Sequence, residues 1–252
     1  MVNIVVEYIN YCIKSKQRHG IHSPFVYDIS DYVSQNSINS DFKKTRNNLY
    51  KKLSLDKRQI KINDFGAGSK KMNQSRKVCD IFKNSSSKGK TADYLYKLSS
   101  FHKPKRILEF GTSLGIGTIH LKNGYPDAEV TSVEACENTL AVAKENLAND
   151  QVHFYCSSFD DYIQNNISGI FDLIYIDGHH DGDALLTYIN KLMPFSSDET
   201  MFIIDDIRWS NSMNDAWKQV QSSPDFNVTI DLFRFGLAFK RNHQKKEHFI
   251  LR

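Results

Sequence analysis

The chain has 252 residues, of which 40% are hydrophobic and 25% charged, and it carries a net charge of +4. This length allows one α/β domain with a modest additional element, and the composition is ordinary for a globular protein. Part of the positive excess lies in the C-terminal tail, and no basic stripe with interleaved aromatic residues is present. We therefore expect no nucleic-acid partner.

The cysteines and the N-terminus indicate the compartment. The four cysteines are widely scattered and form no CxxC pair, which argues against a zinc site or a thioredoxin-like motif and favours a reducing compartment. Residues 1–16 are apolar but contain Glu7 and lack a cleavage signal, so we predict an amphipathic helix rather than a signal peptide. No apolar run is long enough to span a bilayer. These features predict a cytoplasmic protein with no membrane partner.

The first part of the chain has helical periodicity interrupted by polar breaks. Helices are predicted at residues 2–13, 25–34, 41–53 and 91–101, and a polar loop at 84–90. Residues 1–87 are therefore assigned to an N-terminal helical extension or cap, and residues 88–252 to a Rossmann-like domain.

From residue 105 onward, short apolar strands alternate with helices. The predicted strands are residues 106–110, 129–134, 152–156, 171–177, 201–205, 226–232 and 235–240. The predicted helices are residues 116–122, 137–149, 160–165, 183–192 and 213–221. This alternation predicts a doubly wound α/β fold with a mostly parallel, seven-stranded sheet and right-handed crossovers. The last two strands lie too close for a helix between them, which predicts an antiparallel last strand at the sheet edge.

A glycine-rich turn follows the first of these strands, between Glu109 and Gly117. Glycines allow a tight turn and close approach to a ligand, and the following helix offers free N–H groups to an anion. Glu134 lies 25 residues after Glu109, at the end of the next strand, where a carboxylate can accept hydrogen bonds from both ribose hydroxyls. The combination predicts a nucleoside cofactor, and it outweighs the alternative in which these residues only shape a turn and cap a helix.

A second glycine loop occupies residues 64–69, and its glycine spacing is even closer to that of a cofactor turn. The residues some twenty positions later form the polar loop at 84–90 instead of a strand that ends in an acid. We therefore reject the 64–69 loop as the nucleoside site. A helix cap is its expected role, with a lid contact as the alternative.

Three sequence segments carry a family resemblance. They are Glu109-Phe110-Gly111-Thr112-Ser113-Leu114-Gly115, Val133-Glu134 and Phe171-Asp172-Leu173-Ile174-Tyr175-Ile176-Asp177-Gly178. Together they resemble class I S-adenosylmethionine-dependent methyltransferases over roughly residues 88–240, and they depart from the GxGxxG pattern of NAD-binding proteins. The resemblance implies S-adenosylmethionine as the cofactor, with Lys88 to Thr91 closing over its methionine end. The implied cofactor contacts are Glu109, Gly111, Ser113 and Gly115 at the amino-acid end, Glu134 at the ribose, Ser158 and Phe159 at the adenine, and Asp177.

Three aspartates mark the ends of two neighbouring predicted strands. Asp177 ends the fourth strand, and Asp205 and Asp206 end the fifth. Because adjacent strands lie about 4.8 Å apart, the carboxylates should converge. Like charges at this separation raise one another's pKa unless a cation compensates, and a hard divalent ion such as Mg²⁺ prefers oxygen ligands. We predict a metal site at Asp177, Asp205 and Asp206 over the alternative of a capping and a solvated aspartate.

Two histidines, His179 and His180, follow Asp177 closely. A neutral imidazole can take the proton of a hydroxyl that a nearby cation has made more acidic. The arrangement resembles metal-dependent O-methyltransferases of sugar hydroxyls and phenols. That resemblance implies Asp177, Asp205 and Asp206 as Mg²⁺ ligands and His180 as the base, so that Asp177 and His180 are the predicted catalytic residues. Catechol-type relatives carry Asp-Asn in place of Asp205-Asp206.

The expected acceptor is a hydroxyl of a small molecule, whose identity fold analogy does not supply. The apolar faces of the N-terminal helices must be buried, which predicts that they cover the crevice, form a homodimer, or both. In the segment 19–27, Ser23 and Pro24 suit a helix start. The alternative is that His19 or His22 lines the acceptor pocket.

Two other functions remain open. An RNA or protein methyltransferase would have the same fold, but no Asn/Asp-Pro-Pro-Tyr/Phe-like stretch follows the fourth predicted strand. A non-catalytic cofactor-binding module is the second alternative. The presence of Glu134 together with the three aspartates argues against it.

Overall fold

The computed structural model describes residues 4–16, 20–62, 74–85, 88–148 and 150–252. The N-terminal elements are α1 (Ile4–Lys14), α2 (Pro24–Gln35), α3 (Ser40–Leu55), β1 (Gln59–Ile62), β2 (Gln74–Lys77), α4 (Val78–Ser85) and α5 (Lys90–His102). The four helices predicted in this part are present close to their predicted bounds. Pro24 opens α2 as predicted, but the buried Ser23 hydroxyl at the N-cap makes no capping hydrogen bond.

The pattern did not predict β1, β2 or α4. The two strands pair antiparallel, with Ile60 opposite Arg76. Each has only four residues; β1 alternates polar residues with Ile60 and Ile62, but β2 is entirely polar, so the pair has no alternating apolar pattern on both strands. The segment 64–69 and His19 lie outside the described residues, and the predictions for them stay predictions. His22 is exposed to solvent.

The remaining elements alternate as the sequence predicts. They are β3 (Arg106–Phe110), α6 (Ile116–Gly124), β4 (Glu129–Glu134), α7 (Glu137–Asn146), β5 (Val152–Cys156), α8 (Phe159–Asn165), β6 (Phe171–Ile176), α9 (Gly182–Leu192), β7 (Ser196–Ile204), α10 (Asn211–Ser222), β8 (Val228–Leu232), β9 (Phe235–Phe239) and β10 (Glu247–Ile250). A short 3-10 helix, Met193–Phe195, joins α9 to β7.

The main sheet confirms the doubly wound, mostly parallel α/β class and differs from the prediction in two details. Its strand order is β10-β8-β9-β7-β6-β3-β4-β5, which gives eight strands instead of seven, because β10 adds parallel to β8. The antiparallel strand is β9, and it lies between β7 and β8 instead of at the edge. After a tight turn that follows β8, β9 pairs with both β7 and β8. The other edge of β8 pairs with β10.

Helices cover both faces of the sheet. On one face, Val26 and Ile29 of α2 belong to the same buried cluster as Ile107 and Leu173 of the sheet. The other face is buried against α9 and α10, where Trp217 lies in the core. The N-terminal helices therefore share a core with the sheet, and the boundary at residues 87 and 88 stays a prediction. No helix within the described ranges combines the length and apolarity needed to cross a membrane.

Helix α1 is buried less than the sequence predicts. The Tyr11 hydroxyl donates to the Leu251 carbonyl, and the Lys16 N–H donates to the Ile250 carbonyl at 2.8 Å, so β10 anchors the helix. Its large apolar side chains nevertheless remain about half exposed or more, and these are Ile4, Val5, Val6, Tyr8, Ile9 and Ile13.

Candidate active site

The carboxyl ends of β3, β6 and β7 bring the predicted aspartates together. Strands β6 and β7 pair parallel with Ile176 opposite Ile204. The next residue on each strand continues the pairing, since the Asp177 N–H donates to the Phe110 carbonyl at 2.8 Å and the Asp205 N–H donates to the Ile176 carbonyl at 3.0 Å. The three strand ends therefore fix Asp177 and Asp205 at one edge of the sheet.

Asp205 is buried and held by other protein groups. Its Oδ1 accepts hydrogen bonds from Arg234 Nε at 2.8 Å and from the Asp206 N–H at 2.7 Å. Its Oδ2 lies 2.8 Å from the Tyr175 hydroxyl and 3.2 Å from Arg234 Nη2. A carboxylate offers about four acceptor positions, so the protein already occupies those of Asp205.

Asp206 shares Arg234 with Asp205 and also faces His180, since its Oδ1 lies 3.3 Å from Arg234 Nε. Its backbone is left-handed, with φ at 51°, a conformation that aspartate tolerates better than most residues. Its Oδ2 and the Asp177 Oδ1 each lie 3.9 Å from Nε2 of His180. One ligand atom from each of Asp177, His180 and Asp206 lies within 4.8 Å of the others. Among the residues that the structure describes, this group could hold a metal ion. We call it the Asp177–His180–Asp206 cluster.

The carboxylates in this cluster are electrostatically strained. Burial raises the pKa of Asp177 well above its usual range, and repulsion from Asp205 and Asp206 raises it further, while the Arg234 guanidinium opposes the shift. Burial, followed by repulsion from Asp205, also raises the pKa of Asp206. A cation placed between the two carboxylates would relieve this repulsion.

The two histidines have different surroundings. The ring of His179 stacks on Tyr188, and its Nδ1 lies 2.9 Å from the Tyr188 hydroxyl. His180 instead faces the carboxylates, and its ring centroid lies 5.4 Å from that of Trp209. Trp209 is 66% exposed, which is unusual for so large an aromatic side chain. Of the pair, His180 is therefore the histidine that faces the carboxylates.

The glycine-rich turn packs directly against this site. Gly111 has a φ of 101°, and a Cβ atom there would lie 1.9 Å from the Asp177 carbonyl oxygen. Gly115 has a φ of 82°, and a Cβ atom there would lie 2.5 Å from Leu147 Cδ1. The close approach at Gly111 brings the turn into contact with the backbone that carries Asp177.

Glu134 hydrogen-bonds to the backbone on the other side of the glycine-rich turn. Its Oε2 accepts the Ser113 N–H at 2.9 Å, and its Oε1 accepts the Cys136 N–H at 2.9 Å. Burial raises its pKa, while these backbone hydrogen bonds oppose the shift. The carboxylate thus fixes the glycine turn and the start of α7 together.

The comparison with known families agrees with this geometry. Residues 108–207, which contain the glycine turn, Glu134 and all three aspartates, match a family described as a methyltransferase domain. Over these residues the chain is similar to a methyltransferase domain. An uncharacterized protein of Synechococcus sp. is 36% identical over a 98-residue alignment that covers 35% of this chain and 23% of that protein. The chain thus spans less than a quarter of this curated relative.

Solved structures confirm the class I methyltransferase fold. An O-methyltransferase from Bacillus cereus in complex with SAH superposes with a TM-score of 0.54 at 22% identity, covering 62% of this chain and 83% of that one. A methyltransferase from Podospora anserina bound to SAH gives 0.59 at 15% identity, covering 87% and 96%. The O-methyltransferase TomG from Streptomyces achromogenes, involved in tomaymycin synthesis and solved with SAM, gives 0.56 at 14%, covering 83% and 93%. At these identities the likeness establishes the fold alone.

The residues predicted to contact the adenine, Ser158 and Phe159, also have structural roles. The Ser158 hydroxyl caps α8 by accepting the Asp161 N–H at 3.1 Å. The ring of Phe159 is buried and stacks on Phe110 with centroids 4.5 Å apart. A Cβ atom on Gly178 would lie 2.7 Å from this ring. The predicted contacts of these residues with an adenine stay predictions.

Glu109 is fully buried. Its Oε2 accepts hydrogen bonds from the hydroxyls of Thr118 and Ser132. Its Oε1 makes no hydrogen bond within the described part of the chain, and a Cβ atom on Gly117 would lie 2.5 Å from it. The carboxyl group therefore faces α6. Burial raises its pKa to about 7.

Replacing Glu109 by Gln should stabilise the protein at alkaline pH. The pKa of this group is about 7 in the folded state, against an ordinary value of 4.5. The contribution of Glu109 to the free energy of unfolding should therefore be greatest below pH 4.5. It should decline as the pH rises to 7, because only the folded state retains the proton in that range. At pH 8, Glu109→Gln should add up to ~3 kcal/mol to the free energy of unfolding, and at pH 4 it should add little. Denaturant titrations at both pH values test this, and an equal effect at both would contradict it.

Two functional neighbours were not predicted from the sequence. Tyr175 lies within hydrogen-bond distance of Asp205 and, at 3.0 Å, of Asp177 Oδ2. Its hydroxyl in an otherwise apolar buried strand was an available signal, since a buried tyrosine hydroxyl needs a partner. Arg234 carried no such signal, because it lies in the turn between β8 and β9, far along the chain from Asp205.

Proposed function

We propose that this chain transfers the methyl group of S-adenosylmethionine to a hydroxyl of a small molecule, with help from a divalent cation. The observation that carries the proposal is the contact between the glycine turn at Gly111 and the backbone of Asp177. It sets the Asp177–His180–Asp206 cluster beside the turn of a methyltransferase domain. Relatives of the same fold are named as O-methyltransferases and were solved with SAH or SAM, which supports both the reaction and the cofactor.

Glu134 is the residue that we assign to the cofactor ribose. Each of its carboxylate oxygens already accepts one backbone N–H. An ionised carboxylate offers about two acceptor positions on each oxygen. Ala135 and Thr139 also hydrogen-bond to Glu134, so a ribose hydroxyl would share the carboxylate with these groups. The same hydrogen bonds hold the Ser113 backbone in its left-handed conformation, with φ at 48°, and so shape the turn for the amino-acid end of the cofactor.

Glu134→Ala should therefore weaken binding of S-adenosylhomocysteine by about 1–3 kcal/mol, the usual cost of losing charged hydrogen bonds. Glu134→Gln should lose less, because the amide oxygen can still accept from Ser113 or from one ribose hydroxyl. Isothermal titration calorimetry measures both variants. If Glu134→Ala bound S-adenosylhomocysteine as tightly as the wild type, Glu134 would not be the ribose ligand. Equal losses of affinity in the two variants would show that only the charge of Glu134 matters.

The residues of the cluster suit a divalent cation. Two carboxylates and an imidazole converge, and burial with mutual repulsion raises the pKa of both Asp177 and Asp206. When bound, such a cation lowers the pKa of an acceptor hydroxyl and orients it. The protein's own contribution is alignment, because in-line attack on a sulfonium methyl depends mainly on positioning. Tyr175 and Arg234 hold Asp205, and through the Asp206 N–H they fix the backbone that carries Asp206.

The surroundings of the cluster favour a small acceptor with an apolar body. Trp209 presents an exposed ring next to His180, and aromatic rings bind apolar ligands through large contact areas. The exposed apolar side chains of α1 support the proposed homodimer contact.

A methyl-transfer screen tests the proposal. Purified protein is incubated with tritiated S-adenosylmethionine and panels of phenols, sugars and small acids, in EDTA and with added Mg²⁺ or Mn²⁺. We expect label in a hydroxyl-bearing compound, loss of transfer in EDTA and recovery with metal. Transfer only to RNA or protein would overturn the acceptor class, and full transfer in EDTA would overturn the cation.

A further inference from the structure

We infer that the cation site consists of Asp177, His180 and Asp206, that Arg234 keeps Asp205 out of it, and that the site therefore favours first-row transition metals over Mg²⁺. This inference rests on the proposed function for the presence of a cation. It replaces the all-carboxylate set predicted from the sequence and gives His180 the role of a ligand instead of a base.

Asp205 cannot become a ligand without breaking contacts that it already has. Its side chain is fully buried, and Arg234 Nε lies 2.8 Å from its Oδ1. The Asp206 N–H occupies a further position on Oδ1, and the Tyr175 hydroxyl faces Oδ2. Turning a carboxylate oxygen toward a metal would break these hydrogen bonds, and a hydrogen bond to a charged group contributes about 1.5–3 kcal/mol. Arg234 Nε would then rely on Asp206 Oδ1 at 3.3 Å, and the Tyr175 hydroxyl on Asp177 Oδ2 at 3.0 Å. Arg234 thus supplies the positive charge that Asp205 needs.

His180 takes the third position. Its Nε2 lies 3.9 Å from Asp177 Oδ1 and also 3.9 Å from Asp206 Oδ2, so the nitrogen faces the point that the two carboxylates share. A catalytic base would instead have to direct this nitrogen to the acceptor hydroxyl. The backbone of Asp206 is left-handed, and its carboxylate lies between two cationic or basic groups, with Oδ1 3.3 Å from Arg234 Nε and Oδ2 3.9 Å from His180 Nε2. A cation between the two carboxylates would meet the imidazole nitrogen as its third protein ligand.

The donor set determines the preferred metal. Oxygen ligands alone suit Mg²⁺, whereas an imidazole favours ions such as Fe²⁺, Ni²⁺, Cu²⁺ and Zn²⁺. Any site binds Co²⁺ more tightly than Mn²⁺, so tight binding of Co²⁺ by itself would not identify a nitrogen ligand. The informative quantity is the ratio of Co²⁺ affinity to Mg²⁺ affinity, and its dependence on His180.

Direct metal titration of the metal-free protein tests the inference without measuring methyl transfer. Co²⁺ and Mg²⁺ are titrated by calorimetry into the wild type, His180→Gln and Asp205→Asn, with folding checked by circular dichroism. His180→Gln should lower Co²⁺ affinity by at least ~10-fold, since even residues that only hydrogen-bond to a metal ligand change affinity by 10–100-fold. It should change Mg²⁺ affinity less, so the ratio should fall. Asp205→Asn should lower Co²⁺ affinity less than His180→Gln does.

A spectroscopic measurement covers the case in which Asp205→Asn does not fold. Spin-echo electron paramagnetic resonance of Mn²⁺ bound to the wild type should show coupling to an imidazole nitrogen, and His180→Gln should abolish this coupling. A spectrum without nitrogen coupling, or a larger loss of Co²⁺ affinity in Asp205→Asn than in His180→Gln, would overturn the inference. If the protein bound no Co²⁺ or Mn²⁺ but still methylated a hydroxyl in EDTA, the result would contradict the proposed metal site and support the proposed methyl transfer.

Discussion

Asp177→Asn should reduce methyl transfer by at least ~100-fold while leaving the protein as stable as the wild type or more so. The loss is expected because a divalent cation at this site would contribute several kcal/mol to catalysis, and about 1.4 kcal/mol corresponds to a tenfold change in rate. The stability is expected because burial and repulsion from Asp205 and Asp206 raise the pKa of Asp177. A neutral amide removes that repulsion and can still accept a hydrogen bond from Tyr175.

The measurements are turnover with saturating cofactor and the unfolding temperature in EDTA. Asp215→Asn is the matched control, since Asp215 is exposed on α10 and pairs with Lys218, and it should change neither quantity appreciably. A structural role for Asp177 would lower activity and unfolding temperature together. An active Asp177→Asn variant would exclude Asp177 from catalysis and from the cation site alike.

Gly111→Ala should destabilise the fold and abolish cofactor binding. A residue with a side chain at a φ of 101° is strained by about 1–3 kcal/mol, and the new Cβ would lie 1.9 Å from the Asp177 carbonyl oxygen. That oxygen belongs to backbone whose own N–H is hydrogen-bonded to Phe110, so it cannot move aside cheaply. The turn and the strand end must separate, which disrupts the amino-acid end of the cofactor site and the cluster together.

Gly89→Ala separates the contribution of backbone strain from that of the steric collision in the destabilisation expected for Gly111→Ala. Gly89 also has a positive φ, 59°, but a Cβ atom there would meet nothing within 4 Å, so this variant reports backbone strain without a collision. Thermal unfolding of both variants, with titration of S-adenosylhomocysteine into Gly111→Ala, gives the comparison. Equal unfolding temperatures for the two variants would show that the contact between Gly111 and Asp177 is looser than described.

Much of the cofactor side of the site could be predicted from the sequence, because its signals are local. The turn between Glu109 and Gly115, and the carboxylate at Glu134 one strand later, follow from the alternation of apolar strands and amphipathic helices. The same alternation places Asp177 and Asp205 at neighbouring strand ends. The contacts of these residues could not be predicted in the same way, because they depend on neighbouring elements; the contact of Glu109 with α6 is an example.

The sequence alone determined that this chain forms a doubly wound α/β fold, that a glycine turn and Glu134 lie at its cofactor edge, and that three aspartates gather at the ends of β6 and β7. Periodicity and parallel pairing suffice for these conclusions, because each depends on residues within one or two elements. Only the tertiary structure decided that β9 inserts beside β7, which carries Arg234 to Asp205 across 29 residues of sequence. It also decided that Asp206 lies between Arg234 and His180, with Oδ1 3.3 Å from Arg234 Nε and Oδ2 3.9 Å from His180 Nε2, since the backbone conformation and an arginine far along the chain control where each carboxylate points.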